Sequence, residues 1–284
     1  MVLEHGPLRL EILPHVGGGL SRLTFGGREV LRAAGADPGP LDLASFPLVP
    51  YANRIAHGVF SFGGRDVRLP GNLAGHQHPL HGHGWLSAWT VEVAAADRAV
   101  LAFDYPGGDW PWSYRAVQTI ALTDEGLELT LALTNLAEEP APAALGFHPY
   151  FPHRSRATLT TEVSGAWAID EACLPVGEAP GPPMADWRSG APLAQAGLID
   201  HCHVGWRGPA RIDLGEGLVV TLSASPNLGW LHLYSPPGHD FFCVEPVSCR
   251  PDALNAENPA AQGIATLPPG EALAASMSIN VAVT

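Results

Sequence analysis

Residues 116–135 read AVQTIALTDEGLELTLALTN. Before the Asp-Glu-Gly break, Gln118, Ile120 and Leu122 share one parity and Val117, Thr119, Ala121 and Thr123 the other. After it, Leu127, Leu129, Leu131 and Leu133 take every second position. A period of two belongs to a strand, because successive side chains leave opposite faces of the pleat. Two such runs around a short polar break containing Gly predict an antiparallel hairpin with one apolar face.

The same device recurs along the chain. LSRLTFGGREVLR (20–32) and GVFSFGGRDVRLP (58–70) are alternating runs around Gly-Gly, and WTVEVAAADRAVLAFDY (89–105) is a further strand–turn–strand. LRLEIL (8–13), RIDLGEGLVVTLSAS (211–225), WLHLYS (230–235), FFCVEPV (241–247) and SMSINVAV (276–283) continue the pattern. The 32 Gly and 28 Pro are spread throughout, and no window of a dozen residues sustains a period of 3.6 without one of them. The expectation is all-β: a large antiparallel β-sandwich formed by residues 1–284 as one domain. The Pro/Gly-rich stretch 174–197 reads as a long surface loop beside a site, and Asp200 reads as part of an apolar-to-polar turn.

Composition narrows the function. Charged residues are 15% and hydrophobic ones 46%, an ordinary globular balance. The formal charge is −13, which repels phosphate backbones and anionic lipid, so neither nucleic acid nor membrane is an expected partner. All 15 basic residues are Arg, which excludes chemistry that requires a lysine, such as Schiff bases, pyridoxal attachment and the P-loop. The four cysteines lack C-x-x-C spacing and read as buried thiols of a reducing compartment. The N-terminus has no basic region followed by a long apolar run, which makes the cytoplasm the expected location.

AGHQHPLHGHGW (74–85) packs His76, His78, His81 and His83 into eight residues. The two H-x-H pairs resemble cupin metal sites, but no acid follows before Glu92, so the third ligand is missing and no metal is expected. There is no G-x-S-x-G for a nucleophilic serine. What remains is polar residues set in sequence that otherwise looks like core. His148 lies in ALGFHPYF (144–151), Glu245 in the apolar strand FFCVEPV, Asn53 and Arg54 in VPYANRIAHG, and Asp200 in LIDHCHVGW. Taken singly, each reads as a satisfied polar residue closing a sheet. Together with several Trp they point to a sugar site: planar donors for hydroxyls, aromatic faces and an acid–base pair.

The blocks NRIAHGVFSFGG, HPLHGHGW, GFHPYF, IDHCHVGW and VEPVSCRPDALN, in that order between about Pro50 and Asn255, resemble the successive signatures of the aldose 1-epimerase (galactose mutarotase) family. The resemblance implies a galactose mutarotase-like supersandwich. It implies His148 as general acid, Glu245 as general base and His81 beside the ring oxygen. It also implies Asn53, Arg54 and Asp200 as contacts to sugar hydroxyls, and an aromatic contact at Tyr234. Two positions before that aromatic many members carry Gln; here it is His232, also counted as substrate-binding. His76, His78 and His83 are then loop residues around His81. The implied activity is interconversion of the α and β anomers of a free aldose, with no cofactor, in a monomer or homodimer. The alternatives are a hexose-phosphate epimerase, a glycosidase using Glu245 and Asp200, or a non-catalytic sugar-binding sandwich.

Overall fold

A computed structural model describes residues 1–180 and 185–284. The hairpin forms as read: strands Tyr114–Leu122 and Gly126–Asn135 pair antiparallel, with Ala116 opposite Leu133 and Ile120 opposite Leu129. Leu127, Leu129, Leu131 and Leu133 are all buried. Burying a leucine side chain is worth about 1.5–3 kcal/mol, and this regular apolar face fixes the register, because a one-residue slip would turn it to water. Gln118 sits on the buried face and is satisfied by donating from Nε2 to the Gly18 carbonyl at 2.8 Å.

Among the described residues the hairpin lies inside a nine-stranded sheet. Ala272–Val283, Leu218–Ala224, Ala210–Asp213, Thr158–Thr160 and Ala191–Pro192 extend it on one side, and Arg98–Tyr105 and Thr90–Ala94 on the other. A second, eight-stranded sheet runs Pro175–Pro180, Gly165–Ile169, Ile199–Val204, Trp230–Ser235, Phe241–Val247, Gly146–Phe147 and Pro47–Leu48, with Tyr150–Pro152 also paired to Phe241–Val247. A four-stranded sheet of Val2–His5, Leu8–Leu13, Gly19–Phe25 and Arg28–Leu31 completes the larger layers. One continuous apolar cluster draws on all three, from Leu10 through Leu129 to Leu233. The architecture is the expected antiparallel all-β sandwich, and the helical turns among the described residues are three-residue 3₁₀ turns. None of the described helices is long and apolar enough to cross a membrane.

Two local expectations are corrected. The stretch 174–197 is not one loop. Pro175–Pro180 is an edge strand paired to Gly165–Ile169, Trp187–Ser189 is a buried-Trp turn, and Ala191–Pro192 pairs at the edge of the nine-stranded sheet; residues 181–184 lie outside the described residues. Proline lacks a ladder donor and so is tolerated on sheet edges, where half of those donors face water. Asp200 is likewise not in a turn but inside the strand Ile199–Val204. Cys202, Cys243 and Cys249 are buried free thiols, and Cys173 is half-buried.

Candidate active site

Three neighbouring strands of the eight-stranded sheet carry the polar residues. Cys202 stands opposite His232, and His232 opposite Glu245; in the next row Asp200 stands opposite Tyr234, and Tyr234 opposite Cys243. Residues two apart share a face, and directly opposed Cβ atoms lie about 4.5–5.5 Å apart, so Asp200, His232, Tyr234 and Glu245 crowd one face. Gly146 pairs with Val247 and Tyr150 with Cys243, which leaves His148 midway between, level with Glu245. His148 Nε2 is 3.5 Å from Glu245 Oε1. Its ring is held between Tyr150, stacked at 4.7 Å, and Phe46 at 4.7 Å.

The opposite wall comes from two crossing loops. Arg54 and Leu80 form an isolated antiparallel bridge. The His81 amide donates to the Asn53 carbonyl at 3.0 Å, and the Asn53 amide donates back to His81 Nδ1 at 3.1 Å. That second bond makes Nδ1 an acceptor and leaves the ring proton on Nε2. Asn53 and His81 both hold positive φ, 59° and 58°, a region costly for a non-glycine residue and common at functional sites. Gly82 explains part of the HGHG spacing: at φ 73° a Cβ there would meet the Val49 carbonyl oxygen at 2.2 Å. Asn53 Oδ1 accepts from the Arg54 amide at 2.8 Å, and the Arg54 guanidinium donates to Asp200 Oδ2 at 3.3 Å.

All eight sequence-predicted residues, Asn53, Arg54, His81, His148, Asp200, His232, Tyr234 and Glu245, line one cleft of about 210 Å³. That is below the roughly 300–1,000 Å³ of drug-sized sites and suits a single small ring. His76 also lines it. His78 and His83 do not: His78 accepts from the His57 amide at 3.0 Å and His83 stacks on Tyr105 at 4.3 Å. Sequence reading missed the apolar wall of Leu41, Leu73, Tyr150 and Phe241. It also missed Arg32, whose guanidinium lies 3.9 Å from the Tyr150 ring centre and 4.6 Å from that of Phe241 while donating to the Leu41 and Leu43 carbonyls. Tyr150 lies within the GFHPYF block, but no motif marks Arg32, Leu41, Leu73 or Phe241.

Burial dominates the electrostatics. It raises Glu245 to about 7, against the opposing charge of His232. It lowers His148 to about 3, with the charges of His232 and Arg32 acting in the same direction. His81 is held well below its ordinary value by burial and by neighbouring His148, Arg54 and His232. Asp200 behaves oppositely: burial would raise it, but the hydrogen bond and charge of His232, with Arg54, hold it well below the usual carboxylate range. His232 completes that arrangement, with Nε2 2.7 Å from Asp200 Oδ1. Among the described residues, the metal-capable grouping is not the four-histidine loop but His148, Cys243 and Glu245, whose donor atoms lie within 4.8 Å of one another. Burial keeps the Cys243 thiol protonated, which weakens it as a ligand.

The aldose 1-epimerase family model matches residues 2–280. The chain belongs to that family. An uncharacterized Escherichia coli K12 protein, YphB, is 32% identical over 289 residues, covering 98% of this chain and 97% of its own. The solved structure of a candidate aldose 1-epimerase from the same organism superimposes with a TM-score of 0.92 at 31% identity, covering 100% of this chain and 98% of that one. A galactose mutarotase-like protein from Clostridium acetobutylicum shares the fold, with a TM-score of 0.88 at 20% identity over 100% of this chain and 95% of its own. Family membership points to an isomerase, and the finer reaction rests on the chemistry of the cleft.

Proposed function

We propose that the protein is an aldose 1-epimerase that opens and recloses the ring of a free, unphosphorylated aldose. One observation carries the reading: a buried carboxylate and a buried imidazole face each other at 3.5 Å on the wall of a cleft sized for one sugar ring. Glu245 takes the proton of the anomeric hydroxyl while His148 delivers one to the ring oxygen, and the C1–O5 bond breaks to give the aldehyde. Rotation about C1–C2 presents the other carbonyl face. His148 then recovers its proton from the C5 hydroxyl, Glu245 returns one to the carbonyl oxygen, and the ring closes as the other anomer.

Between pH of about 3 and 7 the pair holds one proton, and burial puts it on Glu245 with His148 neutral. That is the arrangement reached after ring opening. The cleft is therefore matched to the open-chain intermediate rather than to the cyclic sugar, the differential binding that lowers a barrier. His81, neutral with its proton on Nε2, serves as a fixed donor to a sugar oxygen. Arg54, Asn53 and Asp200 form a hydrogen-bonded row for hydroxyls, and Tyr234, Tyr150 and Phe241 supply apolar faces.

A neutral sugar is favoured over a phosphorylated one. Among the described residues, Arg54 is the sole Lys or Arg lining the cleft, and it is already paired with Asp200. The hydrogen bond and charge interaction with His232, together with Arg54, hold Asp200 well below the usual carboxylate range, which favours hydroxyl binding over the proton-donating role a glycosidase would ask of a second carboxylic acid. NMR saturation exchange between α and β anomers, run over a panel of neutral and phosphorylated aldoses, tests the reading. Exchange above the spontaneous rate for a neutral aldose supports it. Exchange confined to phosphorylated sugars reassigns the substrate, and none for any sugar leaves a binding protein.

A further inference from the structure

His232 occupies the position where the resemblance leads one to expect an uncharged Gln, and its setting differs from that of a simple hydroxyl contact. It is 5% exposed, with Nε2 bonded to Asp200 at 2.7 Å and its cross-strand neighbour the 2%-exposed Glu245. Among the described residues its Nδ1 is buried with no partner, although the ring lines the cleft. The groups around it are Asp200, His201, Cys202 and His203 on the strand at one side, Glu245 and Cys243 on the strand at the other with His148 beyond Glu245 on the same wall, and Arg54 and His81 across the cleft.

Charge balance makes this arrangement informative. Two buried carboxylates, Asp200 and Glu245, share the cleft with one permanent cation, Arg54, which is committed to Asp200. Burial keeps His81 and His148 neutral. In the substrate-free cleft, where His148 is neutral, ionising Glu245 therefore leaves one buried negative charge without a counter-charge, an arrangement disfavoured in low dielectric. One titratable group is placed to supply the missing charge.

We propose that His232, held by Asp200, is the buried cation that lets Glu245 ionise as the base, and is thereby a positioning residue of the ring-opening step. Its own proton affinity agrees: burial pulls it down, but Glu245 and Asp200 together raise it above the ordinary value for histidine. The inference rests on the mutarotase reading for its kinetic consequence, but not for the charge itself.

Two measurements test it. In the substrate-free wild-type protein, ¹⁵N NMR of the histidine rings should show His232 with both nitrogens protonated at pH 7 while His81 and His148 are neutral; a neutral His232 there overturns the proposal. His232→Gln keeps a donor for Asp200 and removes the charge. Its Glu245 carboxyl, followed by ¹³C shift, should titrate about one pH unit or more higher than in wild type, the usual scale for losing an adjacent opposite charge. The same charge lowers His148, so the kcat/KM plateau should fall about tenfold for each unit by which the gap between Glu245 and His148 widens. A raised KM with an unmoved Glu245 titration and plateau reduces His232 to a hydroxyl contact. If the wild type exchanges no anomers at all, the mutarotase reading fails separately, and the two NMR titrations still decide the charge.

Discussion

Raising the pH through neutrality should slow ring opening, the reverse of what pairing a carboxylate base with an imidazole acid normally leads one to expect. With ordinary affinities, Glu245 would limit the acid side and His148 the basic side, which is also the order the sequence suggests. Burial inverts them, with Glu245 near 7 and His148 near 3. The reaction needs one proton on the pair, and kcat/KM follows the free enzyme. The profile should be bell-shaped, with the acid limb near 3 belonging to His148 and the basic limb near 7 to Glu245, both read as values of the coupled pair. Two units above the basic limb, near pH 9, kcat/KM should be down by about a hundredfold. The gap of about four units also means that the form with ionised Glu245 and protonated His148 is about 10⁻⁴ of the one-proton population, a difference of about 5 kcal/mol that substrate binding has to offset. Saturation-transfer NMR on a neutral aldose between pH 4 and 9, corrected for the spontaneous rate, measures this profile. A kcat/KM that climbs tenfold per unit up to a plateau above pH 7 would refute the reasoning, because the pair would then work in its ordinary protonation order.

Glu245→Gln should lower turnover by about 10²-fold or more with the fold intact. It should also change stability in a pH-dependent way. A folded-state value of about 7 against an ordinary 4.5 gives stability that is fully present below 4.5 and lost as pH rises through 7, about 3 kcal/mol in all. The melting temperature of Glu245→Gln relative to wild type should therefore improve across that window; a flat difference would place the carboxylate in water. Arg54→Ala should raise KM more than it lowers kcat, since its guanidinium braces Asp200 and lines the cleft rather than facing the reacting pair; a pure kcat defect would move it into the chemical step. Exhaustive chelation should leave anomer exchange unchanged. Loss on chelation with recovery on adding one divalent ion would assign a metal to His148, Cys243 and Glu245.

Local pattern was enough for the strands. The alternation in 116–135 and the Gly-Gly turns at Gly26-Gly27 and Gly63-Gly64 involve neighbours in sequence, and a period of two survives whatever the strand later packs against. It failed where context outweighs propensity. Pro175–Pro180 forms a strand because it lies at a sheet edge, and an edge is a property of the assembled sheet. The candidate site was legible because charged and polar residues in apolar runs, such as Glu245 behind Phe241–Val244 and His148 between Phe147 and Tyr150, need partners if they are buried.

The sequence by itself thus determined the fold class, the family and the roster of polar residues. Tertiary structure alone decided what those residues are electrostatically. Asp200 lies 32 residues before His232 and Glu245 lies 13 after it, yet the register of three strands sets them on one face, with His232 between the other two. That register, the 2.7 Å contact to Asp200 and the depth of burial determine which group carries the proton. Charge interactions depend on distance through space and on the dielectric around each group, and neither is written in the order of residues along the chain.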